Sequence, residues 1–171
     1  LAETVEDVGG SLESGAGLDL TQIFGDFMAR DLGLGLEMLA VTVMKPDFPP
    51  EELEREKGIV KAGLLSQREN PYGLATRVFF EELFEGHPYA GPSQGYIDTV
   101  ERIGRDDVVA FHAANYVPEG CHLVVAGDVD APETLEMVRE RFGGWSGTRE
   151  GPAAAPAVKE REYRGRRILV I

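Results

Sequence analysis

The sequence predicts a mixed α+β domain. Segments with apolar residues at helical spacing are interleaved with short runs of strand-favouring residues, in a mixed order without an internal repeat. Glycine and proline punctuate these segments where elements should end. The 171 residues are the length of one domain, or one domain with a stub of another, and the 43% hydrophobic content is enough for a core.

The elements follow in order. Leu1, Val5 and Val8 recur at helical spacing, and Gly9-Gly10 end that helix. "SLESGAGLDLTQIFGDFM" reads as strand, glycine-rich turn and strand, with Leu18, Leu20 and Ile23 apolar and Thr21 and Phe24 favouring strands. Asp31 is placed to cap a helix running to about Lys45, with Leu32, Leu36, Leu39, Ala40 and Val43 on one face and Pro46 as its stop. "FPPEELEREK" opens a helix reaching about Asn70, with Pro50 in its first turn and acidic residues at the positive end of its dipole. Pro71 opens another through Phe84, with Leu74, Val78 and Leu83 turned inward. "EGHPYAGPSQGY" is a loop by composition, followed by short helices around Ile97 to Ile103 and Asp106 to Tyr116.

"CHLVVAG" is a continuous apolar run and reads as a buried strand, which makes Cys121 a small buried residue. "DVDAPETLEMVRERFGG" is a helix with Asp130 and Glu133 at its start, Leu135, Val138 and Phe142 on its inner face, and Gly143 at its end. Residues 145–163 have a linker composition, and "RRILVI" begins a new strand. Both ends of the sequence fall inside elements, so a piece of a longer protein is expected.

A formal charge of −13, from 30 acidic and 17 basic residues, repels nucleic acid and anionic membrane. No apolar run approaches the roughly 20 residues of a membrane span. One cysteine excludes an intrachain disulfide and a cysteine-rich zinc site. His87, His112 and His122 form no close ligand pair: His87 reads as a packed loop residue, His112 as half-buried on a helix, and His122 as the start of a strand. No nucleophile elbow, phosphate loop or dinucleotide fingerprint is present. "GGWSGT" lacks the elbow spacing, "DVDAPE" is a helix cap rather than a calcium loop, and "KEREYRGRR" is a solvated junction. From the residues alone, this is an α+β domain without a self-contained active site.

One stretch raises a question. "EREKGIVKAGLLSQREN" carries Gly58 and Gly63 in a helix interior, each costing about 1 kcal/mol against alanine. "LAETVEDVGGSLESGAGLDLT", "KPDFPPEELEREKGIV", "FEGHPYAGPSQG", "YVPEGCHLVVAGDVD" and "RFGGW", taken in series, resemble the pitrilysin/insulinase family of zinc metallopeptidases, which includes the mitochondrial processing peptidase. The resemblance implies an insulinase-type, processing-peptidase-like fold, with an antiparallel-rich mixed sheet packed with helices. It implies that residues 1–144 are the C-terminal two-thirds of a first domain, 145–163 a linker, and 164–171 the first strand of the following repeat. The family's HxxEH helix would precede Leu1.

The family's third zinc ligand is a glutamate one helix later. Set against "EREKGIVKAGL", it falls on Gly63, with its acidic neighbour on Ala62. Gly63, one turn from Ile59 and three residues past Val60, is expected to face inward. Zinc hydrolysis needs three protein ligands and an open position for water, and glycine supplies none. Glu56 and Glu69 are about two turns away, too far along the helix to substitute. The family's substrate-binding strand corresponds to "GGSLESGAG", which places Glu13, Ser14 and Gly15 at the substrate, with Glu13 where the family has asparagine and Gly15 where it has an aromatic residue.

The resemblance therefore implies a non-catalytic homologue or subunit forming half of a peptide-enclosing chamber. No cofactor is expected in this chain, although active members carry zinc. Expected partners are a second insulinase-type repeat or a catalytic subunit, and peptide. The alternatives are a fragment of an active zinc peptidase with HxxEH upstream, and a structural assembly subunit without peptide binding. A bacterial cytoplasmic or periplasmic location is expected.

Overall fold

A computed structural model describes residues 2–149 and Ala157, with the Arg68 side chain outside that description. Most of the expected linker and all of "RRILVI" lie outside the described residues. The class is α+β, largely helical, with one two-stranded antiparallel sheet among the described residues. The chain divides into two compact units, residues 2–48 with 106–149, and residues 49–105. Among the described residues no helix is long and apolar enough to cross a membrane.

The first unit begins with α1 (Ala2–Glu6), whose Val5 is buried. Gly9 takes φ +67°, a left-handed conformation glycine adopts freely, and the Gly10 amide donates back to the Val5 carbonyl at 3.0 Å. β1 (Ser11–Ala16) then pairs with β2 (Thr21–Asp26), with Glu13 opposite Phe24 and Gly15 opposite Gln22. The Gly17 amide donates to Leu20 at 2.9 Å and closes the turn, so Leu18 and Leu20 fall in it and are exposed. Past β2, the Phe27 ring lies against three glycines. A Cβ on Gly10, Gly25 or Gly35 would come within 2.7, 2.9 or 2.6 Å of that ring. The strand ends and the next helix can therefore share one aromatic residue only because these positions lack side chains.

α2 (Leu32–Met44) buries Gly35, Leu36 and Ala40 and packs against β2 and α7 (Ala131–Phe142), as its apolar spacing predicts. Asp31 does not cap it with its side chain. A 3-10 turn, Ala29–Asp31, runs directly into the helix and gives Asp31 φ −104° and ψ 11° instead of the extended conformation an N-cap requires. α6 (Arg105–Asn115) carries His112, whose Nε2 lies 2.8 Å from the Val43 carbonyl. α7 is capped as expected: Asp130 Oδ1 accepts from the Glu133 amide at 2.9 Å. Its packed side uses Thr134, Met137, Val138, Arg141 and Phe142, while Leu135 is 48% exposed.

The segment 121–126 corrects the sequence reading. It forms no strand, its Cys121 is exposed, and Val124 is 83% exposed. A strand needs a neighbour to accept its backbone hydrogen bonds, and among the described residues none runs beside it. An apolar run announces burial but cannot name the strand that would cover it.

The second unit is helical. α3 (Pro50–Arg68) has Pro50 at its first position and Glu51 and Glu52 in its first turn. Glu52 and Glu56 hold Arg55 between them: the hydrogen bond and charge of Glu52, then the charge of Glu56, raise its guanidinium above the ordinary arginine range. α4 (Pro71–Leu83) is capped by Asn70, whose side chain accepts from the Gly73 amide at 3.2 Å. Leu74 and Val78 are half-buried, but Leu83 is exposed and the following Phe84 takes the packed position. α5 (Ile97–Arg102) ends on Lys57 of α3, whose ammonium donates to the Glu101 and Ile103 carbonyls at 3.2 and 3.0 Å. Those carbonyls lie at the helix end, where a cation is favoured.

Candidate functional site

β1 is the first candidate element. One of its edges is paired with β2, and among the described residues no strand occupies the other. In an antiparallel pair, alternate residues turn their N–H and C=O outward, so the open edge can accept a further extended chain. Glu13, Ser14 and Gly15 lie on this strand and are exposed. Alternation places Glu13 and Gly15 on one face, Glu13 beside the 60% exposed Phe24, and Ser14 on the other with the half-buried Leu12. A Cβ on Gly15 would meet nothing within 4 Å, so the position has no packing partner among the described residues.

Gly63 is the second element, and it lies in the other compact unit. It stands in the body of α3, as expected, but does not face inward. It is exposed, and a Cβ there would meet nothing within 4 Å. The packed side of α3 uses Leu53, Lys57, Val60, Lys61 and Leu64, all half-buried. At 100° per residue, Gly63 lies about 100° round the helix from the middle of that face. Ile59, the landmark that suggested burial, is itself 55% exposed.

The described residues do not fit a zinc ion by themselves. Gly63 offers no donor atom, and among the described residues no three His, Cys, Asp or Glu side chains converge to hold a metal. His87 is buried in its loop, where Nδ1 accepts from the Tyr89 amide at 3.2 Å and the ring meets Phe84 and Tyr89. His112 stacks on Tyr116 at 4.7 Å, with Phe48 edge-on at 5.4 Å. His122 is exposed and stands in no strand. His87 and His112 are thus engaged with backbone and ring neighbours rather than with each other.

The sequence reading passed over Arg77. Its Nε is buried 3.5 Å from Glu81 Oε1 and has no hydrogen-bond partner among the described residues. The signal was a lone cation between Leu74 and Val78 on the packed side of α4.

Comparison with known proteins gives a consistent result. A family model described as the Peptidase M16 inactive domain matches residues 102–171. A zinc protease of Mycobacterium leprae is 28% identical over 143 residues, 84% of this chain and 32% of the relative. Subunit 1 of the mitochondrial cytochrome b-c1 complex of Bos taurus is 24% identical over 171 residues, 98% of this chain and 35% of that protein. The crystal structure of a peptidase M16 inactive domain from Pseudomonas fluorescens superposes with a TM-score of 0.81 at 26% identity, covering 91% of this chain and 39% of that one. The chain thus spans about a third of the length of the curated relatives it matches.

Proposed function

We propose that this chain, of the insulinase-like family of peptidases, is part of a non-catalytic half of a peptide-enclosing chamber. The observation that carries the reading is Gly63. Where the resemblance puts a zinc-ligating glutamate, this chain has a residue with no donor atom, on a helix with no acidic residue within a turn and a half of it toward Glu69 or Glu56. The match to an inactive-domain model supports the same reading.

In this role the chamber half holds peptide without cleaving it. β1 supplies an open backbone edge, and main-chain pairing tolerates the changes at Glu13 and Gly15. Glu13 adds a modest bias toward basic peptides, about 1 kcal/mol or less on an edge open to water. The partner is a second insulinase-type repeat or a catalytic subunit that supplies zinc chemistry. Residues 1–144 form the later two-thirds of the domain, with 145–163 leading to the next repeat.

Two other readings have an observation behind them. Relatives named zinc protease favour an active enzyme whose HxxEH lies upstream. The likeness to a respiratory-complex subunit favours a purely structural role.

A titration of the full-length protein with matched basic and acidic peptides, with hydrolysis followed in the same samples, separates the three. Binding without turnover, with a basic preference reduced by Glu13→Gln, is expected. Chelator-sensitive turnover by the isolated protein would establish the active reading, and no binding to either peptide would leave the structural one.

A further inference from the structure

The second unit carries a partly open cavity of about 350 Å³, lined by α3, α4, α5 and the loop before α5. That volume is at the lower end of the range for ligand sites. Leu64, Leu74, Tyr96 and Ile97 make its lining apolar, and Arg77, Asp98 and Glu101 supply its charges.

These charges are not equally engaged. Glu101 is held by Lys61 at 2.6 Å, and Asp98 faces Arg102 at 3.4 Å. Among the described residues Arg77 meets only Glu81, one turn on, through its buried Nε at 3.5 Å, a contact that makes no hydrogen bond. The rest of the guanidinium is reachable, since its side chain is 39% exposed. The buried Nε is beyond a ligand's reach, but a carboxylate meeting the exposed end of the guanidinium gains charge-assisted hydrogen bonds there. The cavity thus combines an apolar pocket with one under-used cation. Its complement is an apolar group bearing a carboxylate.

We infer that this cavity receives the C-terminus of a peptide, with the apolar last side chain among Leu64, Leu74, Tyr96 and Ile97 and the α-carboxylate on Arg77. The carboxylate follows from the cavity alone. The choice of a peptide as its carrier rests on the proposed peptide-holding role. This site is separate from β1, which reads main-chain groups along a strand and needs no free terminus.

The test uses an N-acetylated pentapeptide of four alanines and a final leucine, as the free acid and as the C-terminal amide. Binding to the full-length protein is followed by the amide resonances of Gly73 and Gly95. The acid is expected to bind about tenfold tighter than the amide, the scale of one charge-assisted contact. Arg77→Gln should abolish that preference. Glu81→Gln should strengthen acid binding severalfold by removing the competing carboxylate, and it keeps the test decisive if Arg77→Gln does not fold. Equal binding of acid and amide, or a preference that survives Arg77→Gln, would overturn the inference. So would shifts confined to residues 11–16, which would leave strand addition at β1 standing without this site. Isovaleric acid binding as tightly as the peptide acid would overturn the peptide as occupant.

Discussion

The glycines around Phe27 and those inside α3 place the same missing side chain in different surroundings. Gly10, Gly25 and Gly35 come from the start of the hairpin, its end and α2, and all three touch one ring. Each is required by packing, because a Cβ would stand within 3 Å of the ring. Gly58 and Gly63 meet nothing within 4 Å. They carry the helical cost of glycine with no packing reason among the described residues. The first set records a tight local fit. At Gly63 packing supplies no such reason, and the proposed loss of a zinc ligand is the reading offered for it.

Substitutions can break this contrast or refine it. The largest effect is expected at Gly35→Ala. Alanine favours the helix by about 1 kcal/mol, but the ring, held on two other sides, cannot move away freely. A net loss of roughly 1–2 kcal/mol is expected in urea unfolding, and unchanged stability would show that Phe27 moves freely. Next comes Phe27→Leu in that background, where the smaller side chain should recover about 1 kcal/mol, read as a coupling energy in a double-mutant cycle. Gly63→Ala should go the other way and stabilise by up to about 1 kcal/mol, since its site is open and helical. A loss there would reveal a neighbour that needs the glycine. The smallest effect is Gly15→Thr on the open face of β1, a gain of a few tenths of a kcal/mol from strand propensity.

Much of the fold was legible because local chemistry decided it. Pro50 and Pro71 mark helix starts, and the Asp130 carboxylate caps α7 with the hydrogen bond its position predicts. The hairpin followed from the two strand-like runs on either side of a glycine-rich turn. What stayed hidden depends on distant partners. The run at 121–126 looked like a core strand, yet pairing is set by another segment. The orientation of Gly63 was misjudged because the packed face of α3 includes Lys57 and Lys61. Their aliphatic stems bury while their charges reach helix α5, which apolar spacing cannot register. At the candidate site, the strand bearing Glu13 to Gly15 was readable, but the Arg77 cavity was not. Four segments must fold together before its walls exist.

The proposed function rests on the loss of a zinc ligand at Gly63. The zinc content of the full-length protein after dialysis against a weak chelator checks it, for the natural sequence and for Gly63→Glu. No stoichiometric zinc is expected in the natural protein, with any retained metal appearing only when the glutamate is restored. One zinc per chain in the natural protein, held equally well with glycine or glutamate at position 63, would contradict it.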